Sequence, residues 1–124
     1  MWRESKVRYL KLDPETKHLN YDDSIPQFNM DSVIFGEGLC PLNDEQMVVL
    51  TYQNNKAYIV GQDDLKIDQE IPLFEGAKEG WGLTSFPMEG KTNNGLYMSD
   101  SSATIKVIDG DTFETVGAII VVNE

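Results

Sequence analysis

Three turn-forming segments stand at equal intervals in this chain. Asp13-Pro14-Glu15-Thr16, Gly61-Gln62-Asp63-Asp64 and Asp109-Gly110-Asp111-Thr112 begin 48 residues apart in succession. A repeat of that length is the mark of a supersecondary unit copied along the chain, each copy burying its apolar face against the next. The same offset relates Glu4, Tyr52 and Asp100, each at the end of a strand-like run just before a turn.

The flanking segments say what the unit is made of. Residues 7–12 alternate apolar and polar side chains, and a return strand is expected over 17–21. Residues 46–52 form an aliphatic run, 56–60 pair back after Gln53-Asn54-Asn55, and 66–73 read as an exposed edge strand closed by Pro72. Strands are also expected over 33–39, 81–85, 96–100, 103–108 and 113–122. Residues 22–32, with Pro26 and scattered acids, read as a loop, and Asn94-Gly95 as a hairpin turn. No stretch sustains a helical period, so the expected class is all-β.

A period in the forties with about four short strands per unit predicts a β-propeller. The expected divisions are a half blade over 1–32 and blades over 33–79 and 80–124, about two and a half four-stranded antiparallel blades in all. Propellers close with about 4–8 blades, so this set is expected to be part of a larger ring. Its unpaired edges at both ends would invite self-association. A second repeated phrase, Phe35-Gly36-Glu37-Gly38-Leu39 against Gly80-Trp81-Gly82-Leu83, places a carboxylate and an indole at corresponding positions. Side chains so placed would face one axis in a radial array. The phrase recurs about four residues short of the turn period, and the polar stretch 86–95 is where the later copy gains them.

Composition narrows the chemistry. Ten Lys+Arg against 21 Asp+Glu give a formal net charge of −11, which repels phosphate backbones and anionic lipid, so neither nucleic acid nor membrane is an expected partner. Cys40 is the single cysteine and His18 the single histidine, which removes an intrachain disulfide and a Cys/His metal cluster. Cys40 reads as a small buried hydrophobe and His18 as a solvated residue. Asp109-Gly110-Asp111 lacks the later ligands of a calcium loop and reads as a turn. The opening Met1-Trp2-Arg3-Glu4-Ser5 is polar, with no apolar run of the kind that targets or spans membranes.

With the repeats in view, the chain resembles the propeller-type glutaminyl cyclotransferases over essentially its whole length. The resemblance rests on Phe35-Gly36-Glu37-Gly38-Leu39, on Glu79-Gly80-Trp81-Gly82-Leu83-Thr84, on Tyr97-Met98-Ser99-Asp100 with Ser101-Ser102-Ala103-Thr104, and on Ile108-Asp109 with Asp111-Thr112-Phe113-Glu114. It implies a five-bladed propeller that converts an N-terminal glutamine of peptides to pyroglutamate, releasing ammonia without metal or cofactor. It further implies that Glu37 is the catalytic carboxylate and Trp81 a pocket tryptophan, while Tyr52 falls where such proteins usually carry another tryptophan.

The residue types suit that reaction. The α-amine must lose a proton while the departing amide nitrogen gains one, and one carboxyl can move both. Rings such as Trp81 and Tyr52 can hold a cationic nitrogen over their faces. Asp100 is expected to line the same channel, its alternative being a local hydrogen bond to the Ser101-Ser102 turn. A different reading of the unpaired edges makes the chain a non-catalytic propeller fragment, an interaction scaffold or truncated product.

Overall fold

The computed structural model describes residues 5–22, 24–74, 76–77 and 79–123, so the Glu4 member of the repeat lies outside the described residues. Those residues hold twelve strands and no helix. β1 (Lys6–Arg8) pairs with β4 (Gln27–Asn29), and β2 (Lys11–Leu12) with β3 (Leu19–Asn20). β5 (Gly36–Pro41), β6 (Gln46–Thr51), β7 (Lys56–Gly61) and β8 (Ile67–Pro72) form a four-stranded meander. β9 (Leu83–Phe86), β10 (Gly95–Ser99), β11 (Thr104–Ile108) and β12 (Thr115–Ile120) form a second. All pairings are antiparallel, and the architecture is a partial, propeller-like all-β fold.

The middle meander is buried on both faces. Successive strand residues point to opposite sides, so Val48, Leu50, Ala57 and Ile59 face the second meander, where Leu96, Met98 and Ile108 meet them. Met47, Val49, Tyr58 and Val60 face the other way, onto Phe28, Met30 and Ile34. Two apolar layers, one on each face, explain why β6 and β7 read as nearly continuous aliphatic runs. Cys40 is buried at 4 % exposure, and that burial pushes its thiol up to about 12 against an opposing hydrogen bond from Ser85.

The first segment departs from expectation. Residues 7–12 are two strands rather than one, and the expected loop 22–32 contains β4. Arg8 faces Gln27 while Lys11 faces Asn20, so the return strand makes an excursion through Pro26 before pairing resumes. Burial of Phe28 and Met30 is what draws it back.

The 48-residue repeat has a conformational identity. In each turn the first residue accepts a backbone hydrogen bond from the residue four positions on: Lys17 to Asp13 at 2.9 Å, Leu65 to Gly61 at 3.0 Å and Phe113 to Asp109 at 2.7 Å. Each donor has a left-handed backbone, with φ of 61°, 53° and 60°. Such a conformation costs a non-glycine residue about 1–2 kcal/mol, so its threefold recurrence marks a structure imposed by the unit. Asp13 and Asp109 brace their turns further by accepting the amides two and three residues on.

The stretch 86–95 connects β9 to β10 and bonds across to the middle meander. Its turn falls at Met88 to Lys91, with Gly90 at a φ of 74°, and not at Asn94-Gly95. Asn94 donates from its backbone to Leu42 at 2.8 Å and from its side chain to Pro41. Asn93 reaches Gly110, and its side-chain oxygen accepts from Asn43. Lys91 pairs with Asp109 at 2.8 Å, and that contact, followed by the Asp111 amide, holds the Asp109 carboxyl below its ordinary range.

The stabilisation from a depressed carboxyl is complete above its unfolded pKa of about 3.9 and is lost as pH falls through the lower folded value. Thermal unfolding measured from pH 7 down to 3 is therefore expected to hold steady and then drop below about pH 4. Asp109→Asn should melt lower at pH 7 and show a shallower acid step. A variant as stable as the parent at pH 7 would sink this account.

Candidate active site

Glu37 lies where β5 breaks register with β6: Gly36 opposes Thr51, yet Leu39 opposes Val49. One extra residue between those pairs is a β-bulge, a device that re-aims a side chain and frees a backbone group from the ladder. The freed amide is that of Gly38, which donates to the Trp81 carbonyl at 2.8 Å across the seam between the meanders. A Cβ on Gly38 would lie 2.6 Å from that oxygen and 2.7 Å from the Leu83 amide nitrogen. The second glycine of the motif therefore serves a close approach of two backbones.

Tyr52, just past β6, is held by its amide on Phe35 at 2.8 Å and by its carbonyl, which accepts from Gly80 at 3.0 Å. Trp81, just before β9, donates its amide to Ser99 at 3.1 Å. The rings form a chain, Phe35 to Tyr52 at 6.2 Å and Tyr52 to Trp81 at 5.8 Å, both edge to face. Each such contact contributes about 0.5–1.5 kcal/mol beyond burial and fixes ring orientation.

Glu37, Tyr52 and Trp81 line one cavity of about 550 Å³ together with Ser32, Val33, Ile34 and Phe35. Its apolar walls surround one acidic side chain, and its size is that of an ordinary small-ligand site. The Glu37 carboxylate takes no hydrogen bond or ion pair from the described residues. Trp81 keeps 45 % of its surface exposed, so its ring remains open to a ligand.

Asp100 is not brought there. It is 7 % exposed and accepts from the Ser102 hydroxyl at 2.6 Å and from the Ser102 amide. Lys106 lies 3.7 Å away. Burial pushes the Asp100 carboxyl up, but the Ser102 bonds and the Lys106 charge outweigh it and leave the group below its ordinary range. The local-turn alternative describes these contacts. Asp100 lines a separate polar cavity of about 440 Å³ with Glu79, Ser101, Ser102, Thr104 and Lys106.

Glu79, which no sequence argument singled out, accepts the indole N–H of Trp81 at 2.8 Å and the side-chain amide of Gln53 at 2.9 Å. Only a fold that brings residue 53 beside residue 79 reveals it. Among the described residues no group of three His, Cys, Asp or Glu side chains is placed to hold a metal ion.

A solved structure of glutaminyl cyclase from Myxococcus xanthus superposes on the chain with a TM-score of 0.64 at 22 % identity, a likeness of fold. The match covers 93 % of this chain and 42 % of that one, so the chain spans less than half the length of that relative. No curated protein matches. A sequence model of the glutamine cyclotransferase family matches residues 3–124. With the fold, the bulged Gly-Glu-Gly strand and the aromatic cavity all in place, that match assigns this chain to the glutamine cyclotransferase family.

Proposed function

We propose that the chain carries the proton-moving and aromatic part of a glutaminyl-peptide cyclotransferase site, acting on the N-terminal glutamine of peptides. The observation that carries this reading is the convergence of Glu37, Tyr52 and Trp81 on one cavity, with the carboxylate left unengaged by the described residues. In the reaction the α-amine nitrogen attacks the side-chain carboxamide carbon. A C–N bond forms to close the five-membered lactam, and the bond to the amide nitrogen breaks. Glu37 takes the proton shed by the attacking nitrogen and delivers it to the departing one, which leaves as ammonia. Tyr52 and Trp81 hold the folded glutamine and attract its cationic nitrogen through their ring faces, an interaction of about 0.5–2 kcal/mol.

A second reading, self-association of a non-catalytic scaffold, is favoured by the apolar end of the second meander. Ile120 and Val122 are each 71 % exposed there, and β12 has no partner on its outer side among the described residues. One experiment separates the two. A glutamine-terminated peptide is incubated with the protein while ammonia and the loss of the primary amine are followed, and the mass of the protein is measured by light scattering. Equimolar ammonia and amine loss support the cyclotransferase. No turnover by a folded protein of defined multimeric mass supports the scaffold and sinks the enzyme.

A further inference from the structure

The Trp81 ring is flanked in sequence by Gly80 and Gly82, which offer no side chains to restrain it. Two contacts among the described residues hold its orientation: the edge-to-face contact with the Tyr52 ring and the Glu79 carboxylate at its indole nitrogen. Glu79 is in turn held by Gln53, the residue after Tyr52. The turn after β6 thus grips the approach to β9 at three points: the Tyr52 ring on Trp81, the Gln53 side chain on Glu79 and the Tyr52 carbonyl on the Gly80 amide. Glu79 itself does not line the Glu37 cavity. It lies behind the Trp81 wall, in the polar cavity of Asp100.

From this closed square of contacts we propose that Glu79 is a positioning residue, whose carboxylate holds the Trp81 indole in place as the wall of the Glu37 cavity. The inference rests on the cyclotransferase reading for its kinetic consequence and on geometry alone for the clamp. A charge-assisted bond to an exposed ring restricts the ring to one orientation, and a substrate that packs on that ring binds better when the orientation is already set. The Trp81 hydrogen bond, then the Gln53 bond, holds the Glu79 carboxyl below its ordinary range, so the clamp is charged at neutral pH. The charged group facing Glu79 among the described residues is Asp100, with Lys106 paired to it.

The test follows the indole N–H resonance of Trp81, assigned by its loss in Trp81→Phe, alongside steady-state kinetics on a glutamine-terminated peptide. In the parent protein the resonance is expected to shift on acidification as Glu79 takes up a proton, and still to shift in Asp100→Asn, at lower pH because the facing charge that raises the Glu79 carboxyl is gone. In Glu79→Ala it should move from its parent position and stop responding to acid. KM should rise about tenfold, the factor expected for losing a hydrogen bond to a charged group, with kcat within about twofold. Glu79→Gln keeps an acceptor oxygen and should fall between the two. A Glu79→Ala resonance that coincides with that of the parent overturns the clamp whatever the activity, and an unchanged KM overturns its role in binding. Should the parent protein release no ammonia, the cyclotransferase reading fails on its own, and the resonance still decides the clamp.

Discussion

Ammonia release from a glutamine-terminated peptide is expected to fall about 10²–10⁴-fold when Glu37 is replaced by glutamine, the range that positioned acid–base groups supply. Glutamine has nearly the same shape as glutamate and cannot exchange a proton in the way the reaction needs. The site around residue 37 should survive the change, because the carboxylate has no hydrogen-bond or ion-pair partner among the described residues to strand. Substitutions of that kind usually alter stability by no more than about 0.5 kcal/mol. The loss should therefore appear in kcat, with KM and melting temperature close to those of the parent, since an interaction made only along the reaction path is what has gone. Ammonia release at equal rates by the two proteins would remove Glu37 from the mechanism and leave the aromatic cavity as a binding site without chemistry.

Gly38→Ala is expected to be the most disruptive single methyl group near the site. The new carbon would press on the Trp81 carbonyl at 2.6 Å and on the Leu83 amide at 2.7 Å, and both are backbone atoms of the facing strand region. Neither can swing aside as a flexible side chain does. The meanders would have to part at the point where the Gly38 amide bonds across them, which should cost towards the upper end of about 1–3 kcal/mol. At roughly 4 °C per kcal/mol for a domain of this size, that is a fall of about 10 °C in melting temperature. Trp81 would move with the seam, so the cavity and any turnover should suffer as well. Gly36→Ala is the internal control. Its nearest neighbours would be the sulfur and terminal methyl of Met30, the mobile end of a long side chain, and it should be the milder change. Equal melting temperatures for Gly38→Ala and the parent would show that the seam is looser than described.

These residues illustrate which parts of the molecule can be read from sequence. The turns were legible because their geometry is local: a backbone bond over four residues leaves its trace in Asp, Gly and Thr at fixed spacing. β6 and β7 were legible because burial on both faces forces unbroken aliphatic sequence. The pair Glu37 and Trp81 was found as a repeated phrase with unlike centres, and the fold does bring both to one cavity. Features that depend on distant chain were not legible. β4 is three residues long and follows Pro26, and its pairing with β1 exists because Phe28 finds a hydrophobic layer elsewhere. Asn94-Gly95 looks like a hairpin in isolation, yet Asn94 is engaged by Pro41 and Leu42, which lie far from it in sequence. Asp100 shares the strand-end offset of Tyr52, but the offset says nothing of direction, and its carboxylate turns to Ser102.

The recurrent turns bear on how such a chain can be rebuilt or inherited. Because the backbone closes in the same way at residues 13, 61 and 109, a segment cut at one turn can be spliced at another without a new loop having to be invented. Side-chain bracing sets a condition on that exchange. The first and third turns open with aspartate and end in threonine, whereas the second opens with Gly61 and ends in Asp64. A Cβ at position 61 would collide with the Asp64 carboxylate, which instead accepts the Lys66 amide. The two ends of a turn are thus a matched pair. A chimera that carries both across should fold, and one that joins an opening aspartate to the closing Asp64 places two acids at one corner.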